Sequence, residues 1–158
     1  MLVNNANSIE KKWLKKGQFK DWEVYAKADK DICYAISKPQ KMEGAYNLRG
    51  RVDVVVALNK NIENKYYVGF DFGYSFAENE KVKLTIDNEL EFMLDTFAQA
   101  AWINSKENPK LEMKIIEAMK NGKMLVAEGT SKRGTDTKDY YSLIGFTKAF
   151  KKIINVCG

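Results

Sequence analysis

The sequence predicts a mainly β protein: an antiparallel β-sandwich or barrel-like domain of about eight or nine strands with two or three short helices. Three observations carry this. Short runs of β-branched and aromatic residues recur along the chain, several with apolar and polar residues in alternation. Clusters of Gly, Asp, Asn and Pro separate them. Strands and helices do not alternate, which argues against a parallel α/β sheet. A chain of 158 residues builds one domain with a substantial core, but not comfortably two. Residues 19–158 are therefore read as the single β-rich domain, and residues 1–18 as an N-terminal extension with a short helix.

That helix is placed over Ser8 to Lys16, with Ser8 as its N-cap and Gly17 just past its end. Trp22, Val24 and Ala26 then alternate with Glu23, Tyr25 and Lys27, and Asp29-Lys30-Asp31 turns the chain. Ile32 to Ser37 forms a second strand stopped by Pro39, and Gly44 and Gly50 bracket an irregular piece. Arg51 to Leu58 is the strongest strand, with three successive valines, and reads as buried on both faces at its centre. The aromatics of Tyr66 to Tyr74 change parity, which predicts a bulge at Gly69 or Gly73. Val82, Leu84 and Ile86 alternate with polar residues, Asp87-Asn88 marks a tight turn, and Leu90 to Phe97 returns. Ala98 to Asn104 fits strand or helix equally. Asn108 caps a helix with Pro109 at its first position, Leu111, Ile115, Ile116 and Met119 on one face, and Gly122 at its end.

The last stretch is the most informative. Met124 to Ala127 and Asp139 to Ile144 read as a hairpin around the turn formers Gly129 to Asp136, with a loop of roughly six to nine residues. Phe146, Ala149, Phe150, Ile153 and Ile154 then share one helix face, with Lys148, Lys151 and Lys152 opposite.

The net charge is +5, yet all but three of the 26 basic residues are lysines, spread along the whole chain. Base readout and bidentate phosphate clamps favour arginine. The charge reads as a solvated lysine surface, with at most a weak, salt-sensitive attraction to anionic surfaces, and not as a nucleic-acid interface. The chain contains no histidine, which removes imidazole bases, Ser-His or Cys-His nucleophiles and imidazole metal ligands. Two cysteines do not make a Cys-only zinc site. No metal or cofactor is expected. No run approaches the roughly 18 apolar residues of a membrane helix. Met1-Leu2-Val3 passes at once to Asn4-Asn5, so the sequence is either that of a cytosolic protein or numbered after a removed signal peptide.

Gly129 to Thr135 has glycines, hydroxyls, Lys132 and Arg133, but lacks the order of a phosphate loop and the strand-to-helix setting. It reads as a hairpin loop in which Ser131, Lys132, Arg133, Thr135 and Asp139 are the candidates for contact with a ligand or partner, and an Arg133–Asp139 ion pair orders the loop. Asp136 and Asp139 are two carboxylates where a calcium site needs more. Cys33 and Cys157 are two buried thiols if the protein is cytosolic and a disulfide if it meets an oxidising compartment.

A wider pattern runs through the chain. Phe19, Trp22, Val24 and Tyr25 precede Cys33 and Ser37-Lys38-Pro39; Arg51 opens the valine strand; Gly73-Tyr74, Trp102 and Ala118-Met119-Lys120-x-Gly122 follow. Then come Gly129-x-Ser131-x-Arg133-Gly134-Thr135-x-Thr137-x-Asp139, Tyr141-Ser142-Leu143-x-Gly145-Phe146 and Cys157. In this order and spacing, residues 19–158 resemble the invasion-associated locus B family of Gram-negative bacteria. The resemblance implies an exported protein, periplasmic or secreted, made with a signal peptide that is removed, and it favours the Cys33–Cys157 bridge. The family is associated by name with host-cell invasion and virulence. The resemblance supplies no catalytic residue, and this chain lacks the additional central cysteine pair of larger members. The expected function is non-catalytic interaction with a protein or envelope ligand, as a monomer or dimer and not as a transmembrane protein. The alternatives are a periplasmic small-molecule or lipid-binding protein, using Tyr66 to Tyr74 and the Gly129 to Asp136 loop, and an envelope hydrolase, which requires a cleft with two close acids of divergent pKa.

Overall fold

The structure is a computed structural model that describes residues 12–63, 65–103 and 107–158. Eleven strands form one antiparallel sheet: β1 (Trp13–Phe19), β2 (Trp22–Lys27), β3 (Ile32–Ser37), β4 (Lys41–Gly44), β5 (Asp53–Asn59), β6 (Tyr66–Asp71), β7 (Lys81–Ile86), β8 (Leu90–Phe97), β9 (Ala100–Trp102), β10 (Met124–Thr130) and β11 (Asp136–Ser142). Among the described residues two helices complete the fold, α1 (Leu111–Asn121) and α2 (Phe146–Cys157). The strand order is β1-β2-β3-β5-β6-β9-β8-β7-β10-β11-β4, so β1 and β4 are the two edges. The β-rich expectation holds, with eleven strands where about eight or nine were expected. The additions are β1, β4 and β9, all in stretches whose sequence lacks clean alternation.

Alternation explains the rest. Trp22, Val24 and Ala26 of β2, Val54, Val56 and Leu58 of β5, and Val82, Leu84 and Ile86 of β7 point to one face and are buried. Val55 and Ala57 are only half-buried, so the valine strand is covered on one face and not on two. The inner face closes around a single core. Trp22 donates its indole N–H to the Ser142 carbonyl at 2.9 Å, and Phe70 on β6 meets Tyr141 on β11 edge to face at 5.8 Å between centroids. Near the two sheet edges, Gln40 donates to the Asp21 carboxylate at 3.1 Å.

Several local expectations are corrected. The helix placed over Ser8 to Lys16 begins outside the described residues, and its remainder is strand: β1 pairs with β2 across a bulge between Lys15 and Gly17. Residues 13–18 therefore belong to the sheet. The isolated amphipathic pattern there was too short to outweigh cross-strand pairing. The β5–β6 register runs unbroken through Gly69. The parity change comes later, at Gly73, whose φ of +70° turns the chain against the backbone of Gly50. A side chain at Gly73 would meet that backbone at 2.7 Å. Helix α1 starts at Leu111 after Lys110, not at Pro109, and Gly122 ends it with its N–H on the Met119 carbonyl. Ile115, Ile116 and Met119 are buried on its inner side.

Helix α2 lies against β1, β2, β3 and β5. Phe146, Ala149, Phe150 and Ile153 are buried, whereas Ile154 is 40 % exposed and falls off the inner stripe. Its last turn is fastened by the Cys33–Cys157 disulfide, with Cα atoms 5.9 Å apart and both cysteines buried. The bridge closes a separation of 124 residues. The chain-entropy model assigns a loop of that size about 4–5 kcal/mol of stabilisation. We expect Cys157→Ser to lose a comparable amount in urea unfolding under oxidising conditions, and hydrogen exchange to rise across α2. Equal midpoints for the variant and the oxidised parent would refute this role.

Candidate functional site

The segment between β3 and β5 leaves the middle of the sheet, pairs as β4 with β11 at the far edge, and returns. On the way back it places Arg49 inside the molecule. The Arg49 guanidinium and the Asp139 carboxylate form a bidentate pair, with Nη1 on Oδ1 at 2.7 Å and Nη2 on Oδ2 at 2.9 Å. Nε and Nη2 also donate to the Phe72 carbonyl at 2.9 and 2.7 Å. Both side chains are almost completely buried, at 2 % and 1 % exposed. The guanidinium lies over the rings of Tyr46 and Tyr74, 5.1 and 5.0 Å from their centroids. Burial disfavours the Arg49 charge, but the hydrogen bond and attraction of Asp139 outweigh it, and the guanidinium is held above its ordinary pKa. Arginine suits this place because its planar fork satisfies carboxylate, carbonyl and ring face together.

Tyr74 completes the base of the site. Its hydroxyl hydrogen-bonds with Thr137 Oγ1 at 2.7 Å, and its ring packs edge-on against Phe72 and Phe76. Burial pushes its pKa up to about 12, against the lowering effects of Thr137 and Arg49.

Above this base lies an open groove of about 500 Å³, lined by residues of the β4–β5 segment, by Tyr74 and Ser75, and by the β10–β11 loop. The loop is Ser131–Thr135, shorter than expected because β10 and β11 extend into the polar run, pairing Gly129 with Thr137 and Thr130 with Asp136. It is internally fastened. Ser131 N–H donates to the Thr135 carbonyl at 2.9 Å, Thr135 N–H to Ser131 Oγ at 3.1 Å, and Gly134 N–H to the Ser131 carbonyl at 2.8 Å. Lys132 N–H donates to the Ser75 carbonyl at 2.8 Å. Gly134 supplies the φ of +90° that the turn needs.

The structure therefore brings Ser131, Lys132, Arg133 and Thr135 together along one groove wall. Asp139 sits beneath, paired with Arg49 and not with Arg133 as the sequence suggested. Asp136 and Asp139 are three apart in a strand, one exposed and one buried, so they do not converge on one ion. Asp136 instead accepts from Thr130 Oγ1 at 2.7 Å. Of the aromatic run, Phe70 and Phe72 are spent on the core and only Tyr74 reaches the groove. Sequence reasoning missed Arg49, Tyr46 and Leu48. The available signal was an arginine between tyrosine and glycine in a segment too irregular to be a strand.

A pair of acids lies elsewhere. Asp53 and Asp71 face each other across β5 and β6 on the outer side of the sheet. Arg51 lies over Asp53 and reaches Asp71 at 3.9 Å, leaving Asp53 only 1 % exposed. Burial, then the charge and hydrogen bond of Asp53, raise the pKa of Asp71 from its ordinary value, partly offset by Arg51.

The family model described as Invasion associated locus B (IalB) protein matches residues 22–154. The chain belongs to the invasion-associated locus B family. Neither the curated proteins nor the solved structures gave a match. The matched region spans β2 to α2 and so contains the groove, the Arg49–Asp139 pair and Cys33, with Cys157 just beyond it.

Two outcomes follow from the site. Asp139→Ala strands the Arg49 charge in the interior and should cost about 3–5 kcal/mol in denaturant unfolding, while the double change Arg49→Leu with Asp139→Leu should be milder than the single one. An Asp139→Ala protein within about 1 kcal/mol of the parent would rule out a structural pair of this kind. For Asp71, a raised folded-state pKa means the folded state holds the proton more tightly than the unfolded chain. Its contribution is favourable below the ordinary carboxylate range and is lost as pH rises through the raised value. Asp71→Asn should therefore gain stability over the parent at neutral pH, with the gain shrinking in acid. A difference independent of pH would contradict this coupling.

Proposed function

We propose that this invasion-associated locus B protein is an exported envelope protein that acts by non-catalytic interaction, and that residues 131–135 and 45–49 form its contact groove. The observation that carries the reading is the combination of a preformed loop with a buried ion pair beneath it. Internal hydrogen bonds fix Ser131–Thr135, and Arg49 ties the opposite wall to Asp139. A surface fixed in advance loses little conformational entropy on binding. The groove is open, and the acid beneath it, Asp139, is committed to Arg49, which suits recognition and not proton transfer. The buried Cys33–Cys157 bridge suits an oxidising compartment. Among the described residues no helix is long and apolar enough to cross a membrane.

Export is tested by fractionating native cells and alkylating thiols before and after reduction. Recovery outside the cytosol, with label entering only after reduction, is expected; thiols that label freely in a cytosolic fraction would overturn export. Contact is tested by hydrogen exchange with envelope extract added. Protection at 45–49 and 131–135 is expected, and protection confined to another face would exclude the groove.

A further inference from the structure

The groove has a charge and polarity pattern that names a ligand class. Among the described residues no acidic side chain lines it. Lys132 and Arg133 stand exposed on its rim, and among the described residues neither has a carboxylate partner. The contrast with the other arginines is direct: Arg49 is held by Asp139, and Arg51 by Asp53 and Asp71. On the facing wall Leu48 is 89 % exposed, more than any other large hydrophobic of the described residues. An unpaired cation pair beside a fully offered leucine is an amphiphilic arrangement. Phe97, the next most exposed, borders a pocket lined by Glu78, Glu80 and a Lys81–Asp95 pair, which leaves net negative charge there and disfavours anions.

We propose that this groove docks the protein on an anionic phospholipid surface, with Lys132 and Arg133 on lipid phosphates and Leu48 inserted among the acyl chains. This rests on the groove being the contact site, and it names the partner. Leu48 is what favours a lipid phosphate over a soluble one, since a free phosphate has nothing apolar to offer it. The net charge of +5 assists approach, because an anionic surface attracts basic proteins over about a Debye length. The fixed loop keeps both cations at the rim with little backbone ordering cost. The interaction is weak and reversible: each basic residue near an anionic leaflet adds about 1 kcal/mol, or about fivefold in partition, and one leucine adds a comparable factor.

The test is co-sedimentation of the intact protein with phosphatidylcholine vesicles, with and without phosphatidylglycerol, at low and physiological salt. Binding is expected only with phosphatidylglycerol and should fall with salt. Lys132→Ala with Arg133→Ala should lower partition at least tenfold, and Leu48→Ser about fivefold. Lys148→Ala with Lys151→Ala, an equal charge change on the exposed side of α2, should leave binding nearly unchanged. All five positions are exposed, and unchanged thermal unfolding checks the fold. Equal losses in both double variants would mean that net charge alone acts, and would overturn the assignment. So would binding to phosphatidylcholine alone, or an unaffected Leu48→Ser whose vesicle binding glycerol phosphate competes away, which would make the ligand a soluble phosphate. Absence of vesicle binding together with envelope-extract protection at 45–49 and 131–135 would reject the lipid partner while leaving the contact groove in place.

Discussion

An eleven-stranded antiparallel sheet has an inner apolar face far larger than two short helices can cover, and that constraint shapes the molecule. The face must bury itself. It does so by coiling until β2 and β6 look across the core at β11, which the Trp22–Ser142 hydrogen bond and the Phe70–Tyr141 ring contact record. Helix α2 covers the β1–β2–β3–β5 half, and the disulfide to β3 fastens its last turn there. The segment around β4 links the two halves directly, leaving from β3 and pairing with β11 before returning to β5.

That linking segment explains why the Arg49–Asp139 ion pair is buried. A segment that crosses the sheet needs an anchor, and an irregular backbone offers few apolar side chains to serve as one. Arg49 provides it through directional bonds to Asp139 and to the Phe72 carbonyl. A buried ion pair is weak as a source of net stability but specific in geometry. It fixes where the 45–49 wall stands relative to β11, and hence the width of the groove that opens above it. Structure and surface chemistry meet there: the acid is consumed below, and among the described residues the loop cations above have no carboxylate partner.

Much of the fold was legible because alternation is a local signal. Trp22-Val24-Ala26 and Val82-Leu84-Ile86 declare their inner face with no help from distant residues. The turns at Lys30 and at Asp87-Asn88 were equally plain, and all three residues take positive φ. β1 and β4 were not legible. Each is an edge strand held by one partner and has no alternation of its own; that partner is more than ninety residues away for β4, and lysine-rich β1 even imitates a short helix. The candidate loop was read correctly as a loop, yet its Asp139 was given the wrong arginine. Nearness in sequence favoured Arg133, whereas the strand period turns Asp139 inward, away from it.

The sequence by itself determined the β class, the family, most strand positions and the polar loop, since each rests on spacing within a short stretch. Only the tertiary structure decided that β4 crosses over to pair with β11, and that Arg49 and not Arg133 meets Asp139. Those depend on contacts between residues about ninety or more positions apart. They are set by how a large sheet must curl to hide its apolar face, and no local pattern encodes that.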